Sequence, residues 1–192
     1  KGDFVDLTKQ YNISSDISPT SGQMPRLLGL AMASKHFRSG KFNCKKLSNN
    51  GNEIAWGTIG NASTSEGLFF ETVNAIGVHQ VPAVISIWDD DYGISVDNSY
   101  QTTKSSISEA LKGFQRTKTE KGFEILKVNG WDYPSLISTY EHANNIARNE
   151  HVPVIIHVTE LTQPVGHSTS GSHERYKSKD CLLYTSPSPR DW

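Results

Sequence analysis

The chain has 192 residues, of which 35% are hydrophobic and 20% are charged, and its formal net charge at pH 7 is −1. This composition is typical of a globular protein with one sizeable core and excludes a disordered chain. The small net charge gives no indication of a nucleic-acid or anionic-membrane partner. No stretch approaches the ~20 apolar residues that a membrane-spanning helix needs.

Cys44 and Cys181 are the only cysteines, and they lie far apart in sequence without zinc-type spacing to a histidine. We therefore expect a reducing, cytoplasmic location rather than a disulfide-linked secreted protein. The first residue is Lys1 rather than Met, which we interpret as an N-terminal truncation. Residues 181–192 contain Ser-Pro-Ser-Pro and break the preceding pattern, so we predict one domain at residues 1–180 and a non-native tail at 181–192.

After a polar segment at residues 1–24, apolar runs of strand length alternate with segments that suit helices. The first helix has Pro25 in its opening turn, a position where proline is tolerated. In chain order we predict a helix at 25–37, a strand at 53–59, a helix at 65–78, a strand at 82–88, a helix at 107–114, a strand at 123–128, a helix at 134–148 and a strand at 152–158.

This alternation predicts an α/β fold, with a parallel sheet that carries helices on both faces. In such sheets, ligands bind at the carboxyl ends of the strands. Three loops leave those ends, at residues 60–65, 89–95 and 162–173, and we expect them to converge on one site.

The first loop consists of small residues and leads directly into a helix. Backbone N–H groups in such a loop can approach a ligand closely, and a helix N-terminus favours an anion, so the loop is a candidate phosphate site. The alternative is an ordinary strand-to-helix turn in which Ser65 caps the helix.

The second loop begins with three adjacent carboxylates, Asp89, Asp90 and Asp91, immediately after an apolar strand. Crowding like charges is costly unless a cation neutralises them, which favours a hard metal such as Mg²⁺ or Ca²⁺. The alternative is a solvated acidic turn without a bound ion.

The third loop carries His167 among small residues, as in a loop that closes over a ligand, although a lone histidine is more often a surface residue. The remaining histidines fall in predicted helices, a turn and a strand, and we assign no role to His36, His79, His142, His151 and His157. A phosphate loop beside a cation site predicts a Mg²⁺-bound diphosphate. A nucleotide, a nucleotide sugar and thiamine diphosphate fit that prediction equally well.

Four motifs carry a resemblance to a known family, at residues 6–10, 17–25, 64–67 and 166–175. With the loops above, they resemble the alpha subunit of the thiamine diphosphate-dependent 2-oxo acid dehydrogenase family, which includes branched-chain and pyruvate enzymes. The resemblance runs from about residue 6 to residue 180 and is strongest for the bacterial type with fused alpha and beta halves. It implies the thiamine diphosphate-binding fold.

The family's cofactor signature is Gly-Asp-Gly, followed further along the chain by Asn-Asn. Here the same positions read Gly60-Asn61-Ala62 and Asp89-Asp90. The resemblance implies that Mg²⁺ is bound by the Asn61 and Asp90 side chains and by the Tyr92 carbonyl. The acid and the amide have exchanged places, so one carboxylate remains in the matched set.

The resemblance also implies a set of cofactor contacts around the diphosphate and the bent cofactor. His167, on the closing loop, would contact the diphosphate and is the candidate catalytic residue. Ile94 would lie beneath the cofactor, while Ser18 and Thr20 would approach its aminopyrimidine side. The complete set is Ser18, Thr20, Gly60, Asn61, Ala62, Ser63, Asp90, Tyr92, Gly93, Ile94 and His167.

The activity that the resemblance implies is oxidative decarboxylation of a 2-oxo acid, with acyl transfer to the lipoyl group of a dihydrolipoyl acyltransferase. In the family, a glutamate of the beta half or subunit activates the cofactor, so we expect this chain alone to be inactive. Two alternatives stay open. One is a cofactor-poor structural homologue, and the other is a nucleotide-sugar glycosyltransferase that binds its metal through residues 89–91.

Overall fold

A computed structural model describes residues 13–14, 17–42, 45–161 and 175–178 of the chain. Its main strands are β1 (Ala55–Gly60), β2 (Ala83–Trp88), β5 (Glu124–Asn129) and β6 (Val154–Thr159). They form one parallel sheet in the order β1-β2-β6-β5. Between β2 and β5, a short antiparallel pair is formed by β3 (Tyr92–Gly93) and β4 (Val96–Asp97).

Four α-helices accompany the sheet in the described parts of the chain. They are α1 (Gln23–Arg38), α2 (Gly67–His79), α3 (Ile107–Ala110) and α4 (Tyr133–Asn145). A π-helical turn, Ile146–Glu150, continues α4, and 3₁₀ turns lie at Ala62–Ser65, Asn98–Tyr100, Thr103–Ser105 and Lys112–Phe114. None of the helices described is both long and apolar enough to cross a membrane.

Two hydrophobic clusters cover the two faces of the sheet. Successive side chains of a strand point to opposite faces, so Ile85 of β2 enters one cluster and Val84 enters the other. The first cluster includes Leu27 of α1 and Phe69 of α2, and the second includes Ala143 of α4. The predicted parallel sheet with helices on both faces is therefore confirmed.

The element boundaries differ from the prediction in instructive places. The predicted helix at 107–114 divides into α3 and a 3₁₀ turn that contains Gly113, a poor helix former. The predicted helix at 134–148 begins one residue early, because the Asp132 carboxylate caps it by accepting a hydrogen bond from the Ser135 N–H at 3.1 Å. The predicted loop after β2 contains β3 and β4.

The packing of strand β2 can be tested at Ile85, because its side chain is fully buried between the sheet and the helices. We expect Ile85→Ala to lower the free energy of unfolding by about 2–5 kcal/mol, since it removes buried methyl groups and leaves a cavity. The matched variant Ile85→Val should cost only about 0.5–1.5 kcal/mol. Urea unfolding followed by circular dichroism measures both, and equal losses in the two variants would contradict this packing.

Candidate functional site

The carboxyl ends of β1 and β2 lie side by side and define the candidate site. Gly60 pairs with Trp88 in the parallel register, and the Asn61 N–H donates to the Trp88 carbonyl at 3.0 Å. The first loop then forms a 3₁₀ turn, in which the buried Thr64 hydroxyl donates to the Asn61 carbonyl at 2.6 Å. The two loops predicted to converge at this edge are therefore adjacent.

The first loop enters α2 without a side-chain cap. The helix begins at Gly67, and Glu66 occupies the N-cap position without a capping hydrogen bond from its side chain. The Ser65 hydroxyl instead donates to the Gln101 carbonyl at 3.3 Å. The alternative in which Ser65 caps the helix is therefore wrong, and the turn keeps the uncapped helix start that suits an anion.

Asp89 points into the protein rather than towards the site, and only 3% of the residue is exposed. Its carboxylate lies 2.8 Å from the Nε2 atom of His157 and accepts from the Asn98 amide at 3.2 Å and from the Asp91 N–H at 2.9 Å. These partners satisfy a buried carboxylate without a metal. The three adjacent aspartates therefore do not form a common cation site.

Asp90 and Asp91 differ from Asp89 in exposure. Asp90 is half-buried, and one of its oxygens accepts from the Tyr92 N–H at 3.3 Å. Asp91 is exposed, with a left-handed backbone at φ 67°. Although the residue as a whole is exposed, partial desolvation of the Asp91 carboxyl raises its pKa above the ordinary value of 3.8, and the negative charges of Asp89, Asp90 and Asp97 raise it further.

The pair formed by β3 and β4 packs the second loop against the first. A Cβ atom added at Gly93 would lie 2.6 Å from the Cβ of Ala62 and would also meet the Gln101 side chain. Ile94 follows with a left-handed backbone at φ 60° and is 60% exposed. The predicted hydrophobic residue beneath the cofactor is thus presented to the outside of the loop.

Asn61 is the predicted site residue whose surroundings bear most directly on metal binding. The residue is only 4% exposed, and its side-chain amide nitrogen has no hydrogen-bond partner among the described residues. A half-turn of the amide exchanges nitrogen for oxygen, which would present a carbonyl oxygen, a suitable Mg²⁺ ligand, at the same position. The unsatisfied buried atom therefore fits a site completed by a ligand.

The predicted metal set of Asn61, Asp90 and the Tyr92 carbonyl contains one carboxylate, one amide and one backbone oxygen. Among the described residues, no group of three or more His, Cys, Asp or Glu side chains is arranged to hold a metal. The predicted set has only one such side chain, that of Asp90, so it would not be found by that criterion. A Mg²⁺ ion bound there would take its remaining ligands from phosphate and water. The ligand assignment stays a prediction.

The segment before α1 reaches the same edge of the sheet. The Ser21 hydroxyl donates to the Ser63 carbonyl at 2.6 Å, which ties this segment to the first loop. Ser18 and Thr20, predicted to approach the cofactor, are exposed in the turn that precedes Ser21. They are close in sequence to Ser21, which contacts the first loop, and their contacts with a cofactor stay predictions.

The third loop lies outside the described residues, and so does the predicted catalytic residue His167. Beyond it, the described segment 175–178 contacts the second loop. The Tyr176 and Tyr92 rings lie 5.4 Å apart between centroids, and the Lys177 ammonium lies 5.3 Å from the Tyr92 ring centroid. Segment 175–178, which follows the third loop in sequence, therefore packs against the second loop.

His157 is the residue of this region that sequence reasoning missed. It is 1% exposed, and its Nδ1 atom lies 2.8 Å from the Ser108 hydroxyl while its Nε2 atom lies against Asp89. The signal in the sequence is a single basic side chain inside an otherwise apolar strand. Such a group must find polar partners when it is buried.

The fold is shared with a solved structure, transketolase from Campylobacter jejuni. The similarity covers 82% of this chain and 22% of that one, with a TM-score of 0.58 and 20% sequence identity. At that identity the match shows the fold alone. Together with the ligand-compatible loops at the strand ends, it places the chain in the predicted class, an α/β protein with the thiamine diphosphate-binding fold.

The sequence itself narrows the class to a family. The profile of the family described as "Dehydrogenase E1 component" matches residues 3–186. The chain therefore belongs to this family, which confirms its resemblance to the alpha subunits of 2-oxo acid dehydrogenases.

Individual relatives agree with the family. The chain is 25% identical over 172 residues to the 2-oxoisovalerate dehydrogenase subunit alpha of Bacillus subtilis, covering 90% of this chain and 46% of that protein. It is 29% identical over 139 residues to the pyruvate dehydrogenase E1 component subunit alpha of Mycoplasma pneumoniae, covering 71% and 35%. The chain thus spans less than half the length of these curated relatives.

Because the first and second loops approach closely at Gly93, a methyl group added there should lower the stability of the protein. We expect Gly93→Ala to lower the free energy of unfolding by about 1–3 kcal/mol, because the new Cβ overlaps Ala62. The control is Gly67→Ala at the start of α2, where an added Cβ meets nothing within 4 Å. That change should stay within about 0.5 kcal/mol. Similar values for the two variants in urea unfolding would contradict the contact.

The raised pKa of Asp91 predicts how the stability of the protein depends on pH. The folded state holds the Asp91 proton more tightly than the unfolded state, so this group lowers stability as pH rises from 3.8 through its folded pKa. We expect Asp91→Asn to be more stable at neutral pH by roughly 0.5 kcal/mol, a small value because solvent screens the exposed group. Thermal unfolding in metal-free buffer should show the two proteins converging at acidic pH, and a constant difference would contradict the shift.

Proposed function

We propose that the protein containing this chain catalyses thiamine diphosphate-dependent oxidative decarboxylation of a 2-oxo acid, as the alpha part of a 2-oxo acid dehydrogenase. It would pass the acyl group to a lipoyl group, which makes it an oxidoreductase with a disulfide acceptor. The observation that carries the proposal is the junction of the two loops through the Asn61–Trp88 backbone hydrogen bond, in a member of the E1 family. A phosphate-compatible turn beside an acidic loop suits a diphosphate and its cation.

The chain's part in metal binding is to template the diphosphate rather than to generate a nucleophile. Asn61 would offer its side-chain oxygen, for which the unpartnered buried amide provides support. Asp90 would offer the carboxylate oxygen that does not accept from the Tyr92 N–H, and the Tyr92 carbonyl would be the third ligand. Asp91 would add negative charge at the rim without contacting the ion.

The remaining predicted contacts divide between the diphosphate and the thiamine part. Gly60, Ala62, Ser63 and Gly93 would surround the diphosphate with backbone, and Ile94 would support the cofactor from below. His167 would contact the diphosphate from the third loop and exclude water when that loop closes. When it is bound, thiamine diphosphate supplies the electron sink for decarboxylation.

The proposed assembly follows from the family. A beta half or subunit would provide the glutamate that activates the cofactor, and a lipoylated dihydrolipoyl acyltransferase would receive the acyl group. The relatives bear the names 2-oxoisovalerate dehydrogenase and pyruvate dehydrogenase, so branched-chain oxo acids and pyruvate are the substrates to test first. A cytoplasmic location is proposed on the cysteine pattern alone.

A second candidate, a cofactor-poor structural homologue, is supported by Asn61, because an amide is a weaker Mg²⁺ ligand than the family's aspartate. The glycosyltransferase alternative is not favoured, because it needs residues 89–91 as a metal site and Asp89 is engaged by His157 and Asn98.

Calorimetric titration of the full-length protein with its beta half tests the proposal. We expect thiamine diphosphate to bind with Mg²⁺ and not in EDTA, because the ion links Asp90 to the diphosphate. The variant Asn61→Asp should bind on the order of tenfold more tightly, since it adds a second carboxylate to the ligand set. Asn74→Asp, on the exposed side of α2, is a matched control for the added charge.

The outcomes separate the two candidates. Mg²⁺-dependent binding by the unaltered protein supports the proposed enzyme and leads to a substrate screen with pyruvate and branched-chain oxo acids. Binding that appears only in Asn61→Asp supports the cofactor-poor homologue. If neither protein binds the cofactor, the assignment is wrong.

A further inference from the structure

Beneath the candidate site, the described residues contain a buried chain of polar side chains, Asp89–His157–Ser108. Asp89 is 3% exposed, His157 is 1% exposed and Ser108 is 8% exposed. Both links measure 2.8 Å, from the Asp89 carboxylate to His157 Nε2 and from His157 Nδ1 to the Ser108 hydroxyl. This series of hydrogen bonds connects the second loop, strand β6 and helix α3.

This arrangement does not serve packing. His157 stands between Ile156 and Val158, both buried, on a strand whose other inward residues are apolar. Burying an imidazole and a carboxylate there costs desolvation, and an apolar pair of similar size would pack without that cost. A fully hydrogen-bonded buried network does, however, fix one geometry among several.

The geometry it fixes is that of the second loop. The Asp89 carboxylate accepts from the Asp91 N–H at 2.9 Å and from the Asn98 amide at 3.2 Å, so one side chain holds the start of the second loop and the residue that follows β4. Tyr92 lies between these two positions and Asp90 lies between Asp89 and Asp91, so both residues predicted to bind the metal fall within the stretch that Asp89 holds. The Asn98 N–H also donates to the Asp91 carbonyl at 2.9 Å, which closes the loop on itself.

The roles of the hydrogens follow from the partners. An ionised carboxylate only accepts, so His157 Nε2 carries the proton that it shares with Asp89. In the neutral ring, Nδ1 then accepts from the Ser108 hydroxyl. The Asp89 carboxylate thereby selects the tautomer, and the Ser108 hydroxyl, which can donate or accept, satisfies the other ring nitrogen.

We propose that His157 is a positioning residue: by holding the Asp89 carboxylate inward, it fixes the second loop so that Asp90 and the Tyr92 carbonyl face the site. His157 contacts neither metal nor cofactor and acts only through Asp89. The consequence for cofactor binding rests on the proposed function, whereas the effect on the loop does not.

The test compares His157→Leu, Asp89→Asn and the double variant in the full-length protein with its beta half. Leucine fills the space of histidine but leaves the Asp89 carboxylate without its donor. Asparagine at position 89 keeps an acceptor for the Asp91 N–H and removes the charge that needs His157. His142→Leu, on the exposed side of α4, is the matched control.

Two measurements are made on each protein. The first is hydrogen exchange of the Asp91 and Asn98 amides without cofactor, compared with core amides such as Ile85. The second is the calorimetric Kd for thiamine diphosphate with Mg²⁺. We expect His157→Leu to speed loop exchange and weaken cofactor binding by about tenfold or more, and Asp89→Asn in the same chain to restore most of both.

Rescue separates positioning from general damage, because damage from a lost core side chain would not be repaired by removing the charge of Asp89. Unchanged loop exchange in His157→Leu, or a loss that Asp89→Asn does not restore, overturns the proposal. If His157→Leu does not fold, His157→Gln takes its place. Glutamine keeps an N–H donor, so His157→Gln should keep the Kd within about threefold of the unaltered protein. A larger loss of affinity that is the same in His157→Gln and in the double variant His157→Gln, Asp89→Asn overturns the proposal.

Failure of the proposed function would be seen separately. If the unaltered protein does not bind thiamine diphosphate, the enzyme assignment is wrong. The exchange measurement, made without cofactor, still decides whether His157 holds the loop.

Discussion

The candidate site depends on the parallel pairing of β1 with β2 through their last residues. Pairing Gly60 with Trp88 brings the two strands to an end at the same level, and the Asn61 N–H bond to the Trp88 carbonyl extends the ladder into the loops. On the other side of β2, the Asp89 N–H donates to the Val158 carbonyl of β6 at 2.9 Å. The acidic loop is therefore held from both neighbouring strands, and a shift of register would separate it from the small-residue turn.

Most of the fold follows from local pattern. Continuous apolar runs predict β2 and β6 because a strand covered on both faces has no polar side, and the alternation with helices predicts the parallel sheet. The convergence of the first two loops follows from the same rule. The strand order and the inward direction of Asp89 could not be predicted, because both depend on contacts between distant positions. Asp89 and His157 are 68 residues apart, and no periodicity in a single sequence reports such a pair.

The charge pattern of the candidate site is compatible with the proposed cation site, in which the acid and the amide of the family's motif have exchanged places. With the Asp89 carboxylate satisfied by hydrogen bonds inside the protein, Asp90 is the carboxylate of the proposed ligand set and Asn61 is its buried neutral oxygen ligand. Asp91 and Asp97 are exposed at the rim, where they attract a cation without being dehydrated by it. The proposed ligand set thus has one negative charge, and a bound diphosphate would supply the remaining negative charge.

We propose that the joined ends of β1 and β2 hold a divalent cation through Asn61, Asp90 and the Tyr92 carbonyl. A crystal structure of the full-length protein with its beta half, grown with thiamine diphosphate and Mn²⁺ in place of Mg²⁺, tests it directly, because manganese gives an anomalous signal that marks its position. We expect one strong peak bonded to these three groups and to the diphosphate. A manganese peak bonded to Asp91 or Asp97 instead, or bound diphosphate without any ion at Asn61 and Asp90, would contradict it.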